Sequence, residues 1–291
     1  MNSNSDTAQG ADLSAGSEQP SPAVAGELHP FRFPLSFARR FIPPLLLGRR
    51  VSLGEHAEWL LRRTGRQPVV RGEEHIPERG AFVAVVNHYQ RRYYFVGWNA
   101  FLISMIVRRR RGPQAVVHWL MQDGFEQRRR DAIPWPWWFL RWLFRRVARM
   151  YDMVLVPTSP QNKGGRATAV RRMVELISPR DRSREGEPIG LFPEARNQPG
   201  GVLGQPPPAM GRLLLELGRR GVPLLPVGVH DLDGETNVSF GAPFDVEPPP
   251  DLSSQEAADE ACRQAMVAIG RLLPRELWGA YQGEIGSAGG D

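Results

Sequence analysis

Between residues 69 and 240 this chain alternates short, apolar, β-branched runs with longer stretches of helical character, and that alternation restricts its possible folds more than any other feature. Apolar runs stand at 81–86, 115–121, 153–156, 189–192 and 222–229. Gly80 precedes the first, while Pro157 and Pro193 follow the third and fourth, so each is bounded as a buried strand would be. Between them, residues 94–110, 138–150, 165–177 and 208–220 are long enough for helices, and a strand at 238–240 with a helix at 254–273 closes the series. Strands alternating with helices of this length predict an α/β fold, a single domain with a largely parallel central sheet flanked by helices. Such sheets bind ligands beyond the carboxyl ends of their strands. Three chemically interesting segments fall there: Asn87-His88, Pro193-Glu194-Ala195-Arg196 and Pro157-Thr158.

Composition sets the outer limits of the domain. Residues 1–27 are Ser, Gly, Ala, Asp and Pro with almost no large apolar side chains, a composition expected to stay disordered, and 283–291 reads as a flexible tail. Residues 28–65 form a basic, amphipathic segment in which prolines are expected to break the chain into short pieces. The α/β domain is expected over 66–282. Of the eight tryptophans, Trp135, Trp137, Trp138 and Trp142 stand together in an arginine-rich segment, a composition that suits a core helix, an acyl-chain groove or the water–lipid boundary.

Arg and Lys outnumber Asp and Glu by 37 to 31, a formal charge of +6, and Lys163 is the only lysine. That sign suits anionic lipid or nucleic acid, but no nucleic-acid-binding module is recognisable, so a nucleic-acid partner is not expected. The single cysteine, Cys262, excludes a disulfide framework and a Cys-based metal site, and reads as a small core residue. No uncharged apolar run reaches the roughly 18 residues of a membrane span, and no basic-then-apolar leader opens the chain. The expectation is a cytoplasmic protein peripherally associated with a membrane.

His88, at a strand end and before a helix, is the candidate general base, because a neutral imidazole titrates near ambient pH and can accept a proton from an attacking hydroxyl. His29, His56, His75, His118 and His230 have no comparable setting and read as structural. Glu194 and Arg196 follow the strand at 189–192. They could simply pair with one another, or Arg196 could hold an anionic substrate group while Glu194 orients the loop through hydrogen bonds.

Three motifs then add a resemblance. Val70-Arg71-Gly72-Glu73-Glu74-His75-Ile76-Pro77-Glu78-Arg79-Gly80, followed by Phe82-Val83-Ala84-Val85-Val86-Asn87-His88, is similar to the entry of the glycerolipid acyltransferase (lysophosphatidic acid acyltransferase-like) superfamily. Phe192-Pro193-Glu194-Ala195-Arg196 resembles that family's Phe-Pro-Glu-Gly-Thr-Arg, and Val222-Pro223-Leu224-Leu225-Pro226-Val227 resembles its Val-Pro-apolar-apolar-Pro-Val strand. Order and separation match over roughly residues 66–245. The resemblance implies direct acyl transfer of the 1-acylglycerol-3-phosphate O-acyltransferase type. An acyl thioester, acyl-CoA or acyl carrier protein, would be the donor, a hydroxyl of a lipid such as a lysophospholipid the acceptor, and no cofactor or metal is implied. It assigns His88 as base, with Asn87, Glu194 and Arg196 on the substrate, and backbone N–H groups near the strand ends on the developing oxyanion.

Three departures accompany it. Where the family motif His-x-x-x-x-Asp has its acid, Tyr93 stands, so a neutral phenol oxygen would have to orient the imidazole unless Tyr94, Asp123 or Glu126 approaches. Ala195 alone occupies the space of Gly-Thr. The segment Leu155-Val156-Pro157-Thr158 lacks the family's arginine, leaving Lys163 or Arg166 to substitute. The alternative that these departures keep open is a catalytically impaired relative that binds lipid or acyl carrier without efficient transfer.

Overall fold

The computed structural model describes residues 35–287, apart from 66, 91–96, 125–134, 160, 180, 182, 184 and 197. The expected tail at 1–27 lies outside the described residues. Seven strands form one sheet: β1 (Val69–Arg71), β2 (Val83–Val86), β3 (His118–Gln122), β4 (Val154–Val156), β5 (Ile189–Leu191), β6 (Leu224–Leu232) and β7 (Glu235–Phe240). Their order is β1-β7-β6-β2-β5-β3-β4. The block from β6 to β4 is parallel throughout; β7 returns antiparallel to β6, and β1 pairs parallel with β7. All four residues of β2 are buried, as the unbroken Val-Ala-Val-Val run requires of a strand covered on both faces.

The flanking helices are α1 (Leu35–Leu47), α2 (Leu53–Thr64), α3 (Gly97–Arg111), α4 (Trp137–Met150), α5 (Lys163–Ile177), α6 (Pro208–Arg219), α7 (Ser254–Gly270) and the short α8 (Gln282–Ser287). Local chemistry sets several of their ends. Ser253 and Glu256 form a reciprocal capping box at the start of α7. Ser52 caps α2, and Gly65 ends it with a left-handed φ of 68°. Glycine also sets how closely elements approach. A Cβ at Gly54 of α2 would lie 2.7 Å from the Ser104 carbonyl of α3, and one at Gly211 of α6 would collide with the Ala258 carbonyl of α7.

Two expectations fail near the ends of the chain. Pro43 and Pro44 do not break the N-terminal segment; α1 runs through both. The two prolines remove the bonds their N–H groups would make, a cost that local sequence rules weigh heavily. Tertiary packing outweighs it: Phe37 and Leu45 are buried, Phe37 stacks on Phe41 at 5.6 Å, and Phe41 faces Tyr151 at 6.4 Å. Arg40 pairs with Glu55 of α2, and buried His56 meets the Tyr151 hydroxyl at 2.9 Å. At the other end residues 283–287 are helical rather than a loose tail, because Ile285 is buried against Gly270. In β6, Pro226 sits inside a central strand. Its carbonyl accepts from Gly241 N–H, and the donor it lacks lies on that same side of the strand, at the point where β7 ends.

Candidate active site

β2 lies between β5 and β6, so the segments that follow β2 and β5 emerge side by side at the carboxyl edge of the sheet. Glu194 fastens them together. Its Oε2 accepts the backbone N–H of His88 at 2.6 Å, and its Oε1 accepts that of Gly204 at 2.7 Å. The carboxyl group is 1% exposed, and burial pushes its pKa up to about 7, with the two backbone N–H bonds pulling the other way. The loop that carries it is a tight turn in which Ala195 N–H bonds Phe192 O at 3.1 Å and Ala195 takes φ 55°. That left-handed conformation is the one glycine adopts freely, which places Ala195 at the family motif's glycine.

Asn87 ties the other flank. Its side-chain amide donates to Val229 O at 2.8 Å and accepts from Val229 N–H at 2.7 Å, joining β2 to β6. Asn87 is buried and both ends of its amide are engaged, so it braces the strand end.

The His88 ring is half-buried, and it packs edge-on against Phe192 at 5.4 Å and 71°. Phe192 in turn stacks on Trp119 of β3 at 5.2 Å. Trp119 lies flat on β5, where a Cβ at Gly190 would come within 2.6 Å of its ring, and its indole N–H donates to Ser104 Oγ at 2.9 Å. A layered support, Gly190 to Trp119 to Phe192, thus sets the height of the imidazole. On the far side Tyr89 is buried against Gly201, whose absent Cβ would lie 2.7 Å from the ring.

Arg196 is exposed at the rim of an open depression of about 580 Å³, which it shares with Gln198, Gly204, Gln205 and Ala280. Gly204 therefore belongs both to the Glu194 brace and to this depression. Leu203 beside it is held by backbone bonds with Leu277 and Ala280. Tyr281 follows Ala280 of this depression, and burial raises its phenol pKa, with the charges of Cys262, Glu284 and Glu194 adding. Neither Gly204 nor Tyr281 was singled out from sequence; each belongs to a segment without a motif, and only the tertiary fold brings it here.

Other expected residues lie elsewhere. Tyr93, Tyr94 and Glu126 are outside the described residues. Asp123 accepts the N–H and hydroxyl of Thr158 at 2.8 and 2.9 Å, and so joins the ends of β3 and β4. Lys163 and Arg166 open α5 in exposed positions after β4, at the sheet edge and three strands from β2, about 14 Å by strand spacing. They share the edge of the sheet with His88 but not its immediate surroundings. The backbone N–H groups of His88, Tyr89, Ala195 and Gly204 all have internal acceptors, so an oxyanion donor must be sought beyond these four. Cys262 is partly buried, and desolvation pushes its thiol up to about 11, which keeps it protonated. Among the described residues no group of three His, Cys, Asp or Glu side chains is arranged to hold a metal ion.

A largely parallel α/β sheet with a strand-end histidine beside a Phe-Pro-Glu loop is the class of architecture this chain presents. The comparisons make that class specific: the sequence profile of the acyltransferase family matches residues 67–230, and the chain belongs to that family. Members of that family transfer acyl groups. No curated protein matches the chain. Among solved structures it is similar to the 1-acyl-sn-glycerophosphate (LPA) acyltransferase PlsC from Thermotoga maritima, with 16% identity, 90% of this chain and 85% of that one covered, and a TM-score of 0.45.

Proposed function

We propose that this chain transfers a fatty acyl group from an acyl thioester, acyl-CoA or acyl carrier protein, to a hydroxyl of a lipid acceptor such as a lysophospholipid, with His88 as general base. The observation that carries the reading is the half-buried imidazole beside the Phe192–Arg196 turn, its backbone fixed by Glu194 at 2.6 Å. In the reaction the imidazole takes the acceptor hydroxyl proton as its oxygen attacks the thioester carbonyl. The tetrahedral oxyanion collapses, the C–S bond breaks, and the imidazolium returns the proton to the leaving thiolate. Glu194 and Asn87 are positioning residues, acting through the backbone on either side of the ring. Arg196 meets an anionic part of a substrate in the adjoining depression, and Tyr93 orients the imidazole. Lys163 and Arg166 serve a more distant anionic portion along the sheet edge. No described helix is long and apolar enough to cross a membrane, and the chain works as a peripheral membrane protein.

The purified chain, acyl-CoA and a panel of lysophospholipids test this reading. His88→Ala is expected to lower turnover about 10²- to 10⁴-fold with an unchanged melting temperature. Equal rates for the two proteins would remove His88 from the chemistry. The phenol at position 93 favours a second reading, an impaired relative that binds lipid or acyl carrier. Silence of the wild type with every acceptor, together with activity gained by Tyr93→Asp, would select it.

A further inference from the structure

Helix α4 has two unlike faces. Leu140, Ala148 and Met150 are buried, whereas Trp138 is 73% exposed, and a shallow groove of about 410 Å³ runs along Trp138, Arg141, Trp142, Arg145, Arg146 and Arg149. Arg141, Arg145 and Arg149 recur every four residues, so they stack as like charges along one ridge, an arrangement that disfavours an isolated helix. Arg141 reaches Asp123 at 3.7 Å, but among the described residues no carboxylate pairs with Arg145, Arg146 or Arg149. Arg146 instead lies over the Trp142 ring at 5.8 Å, and Phe139 of the same helix stacks between Trp142 and Trp135, which stands just before the helix begins.

The surface continues onto α1, which packs along α4. It ends in Leu46 and Leu47, both exposed, and then in Gly48, where a Cβ would stand 2.6 Å from the Arg146 guanidinium. Leu35 and Ile42 are exposed on α1 as well. Guanidinium groups next to uncovered indole and leucine side chains complement a surface that offers phosphate oxygens beside hydrocarbon. A nucleic acid would supply phosphate but nothing to cover Leu35, Leu46 and Leu47.

We infer that the outer face of α4 is the site through which this protein docks on anionic phospholipid, its arginines on headgroup phosphates and Trp138 entering the headgroup boundary. This rests on the reading of the chain as acting at a lipid surface, and it assigns that contact to particular residues.

The test is sedimentation of the whole protein with vesicles of phosphatidylcholine alone or mixed with phosphatidylglycerol, at low and high salt. The wild type is expected to bind the mixed vesicles at least about tenfold more tightly, with the preference fading as salt rises. Arg145→Glu combined with Arg149→Glu should abolish the preference, and Trp138→Ala should weaken binding to both vesicle types. All three positions are solvent-facing, and unchanged melting temperatures establish that the variants fold. A double variant that binds mixed vesicles like the wild type overturns the assignment, and so does wild-type protein that ignores vesicles while retaining an oligonucleotide. The two readings fail separately. Acyl transfer to a soluble short-chain acceptor without vesicle binding removes the docking face alone, whereas vesicle binding without transfer removes the enzymatic reading alone.

Discussion

The carboxyl ends of β2, β5 and β6 and the outer face of α1 and α4 both set charge beside aromatic rings, but they neutralise it in opposite ways. At the strand ends the charge is enclosed: one carboxyl group accepts two backbone N–H bonds, and one amide holds a neighbouring strand by both of its polar ends. On the helices, Arg145, Arg146 and Arg149 have no acidic partner among the described residues, and leucines face outward. The first region is complete in itself and so can hold an imidazole at a fixed height. The second is satisfied only by something outside the chain. Rigidity and incompleteness are thereby assigned to different parts of one small domain.

The sharpest way to break that contrast is Glu194→Ala. It leaves the His88 and Gly204 N–H groups without acceptors in a site closed to water, and unfolding free energy from denaturant titration should fall by roughly 2–6 kcal/mol. Leu46→Ser, on the open face, should stay within about 0.5 kcal/mol in the same titration. Similar losses at both positions would mean that the strand-end bonds are not a special brace.

Acidity probes the enclosed region on a slightly smaller scale. The Glu194 carboxyl titrates near 7 when folded and near 4.5 when unfolded, so the native state holds its proton longer. Stability from this group is fully present below about 4.5 and is lost as pH rises through about 7, a change on the order of 3 kcal/mol. His56 opposes it. Burial, with Arg40 adding, lowers its pKa to about 4, so stability is lost as pH falls from about 6.5 through 4. The two slopes oppose each other between about 4.5 and 6.5, which should leave the wild-type curve shallow there. Glu194→Gln should expose the His56 slope as stability rising with pH; a variant as flat as the wild type would contradict the linkage.

The smallest effect is a gain. Ala195 holds φ 55°, and Ala195→Gly should raise the melting temperature, with a free-energy gain of up to about 1 kcal/mol. A loss would show that the methyl group contributes packing in the turn.

Much of this architecture is legible in the sequence because the informative residues act locally. Short apolar runs mark strands, two of them ended by Pro157 and Pro193, and Asn87-His88 and Glu194 come just after β2 and β5. For Glu194 the sequence leaves two roles open, pairing with Arg196 or orienting its loop through hydrogen bonds, and the bonds it makes reach His88 and Gly204. What could not be read depends on strand order. Nothing along the chain says that β4 lies at the sheet edge, and hence that Lys163 and Arg166 stand three strands from His88. Nor does it say that Val229 lies alongside Asn87, so that the amide ties β2 to β6. The helix through Pro43 and Pro44 was missed for a related reason: the rings of Phe41 and Tyr151 that support it are 110 residues apart in the chain.

Gly190 has a consequence out of proportion to its size. It acts as a shim: because the strand is bare at that point, the indole above it can lie flat, and two more rings are seated in turn. Thickening the lowest layer by a single methyl group would tilt the whole pile, and the imidazole would be re-aimed although its own ring had not been touched. Selection on catalysis in this fold can thus operate on a residue that has no side chain at all.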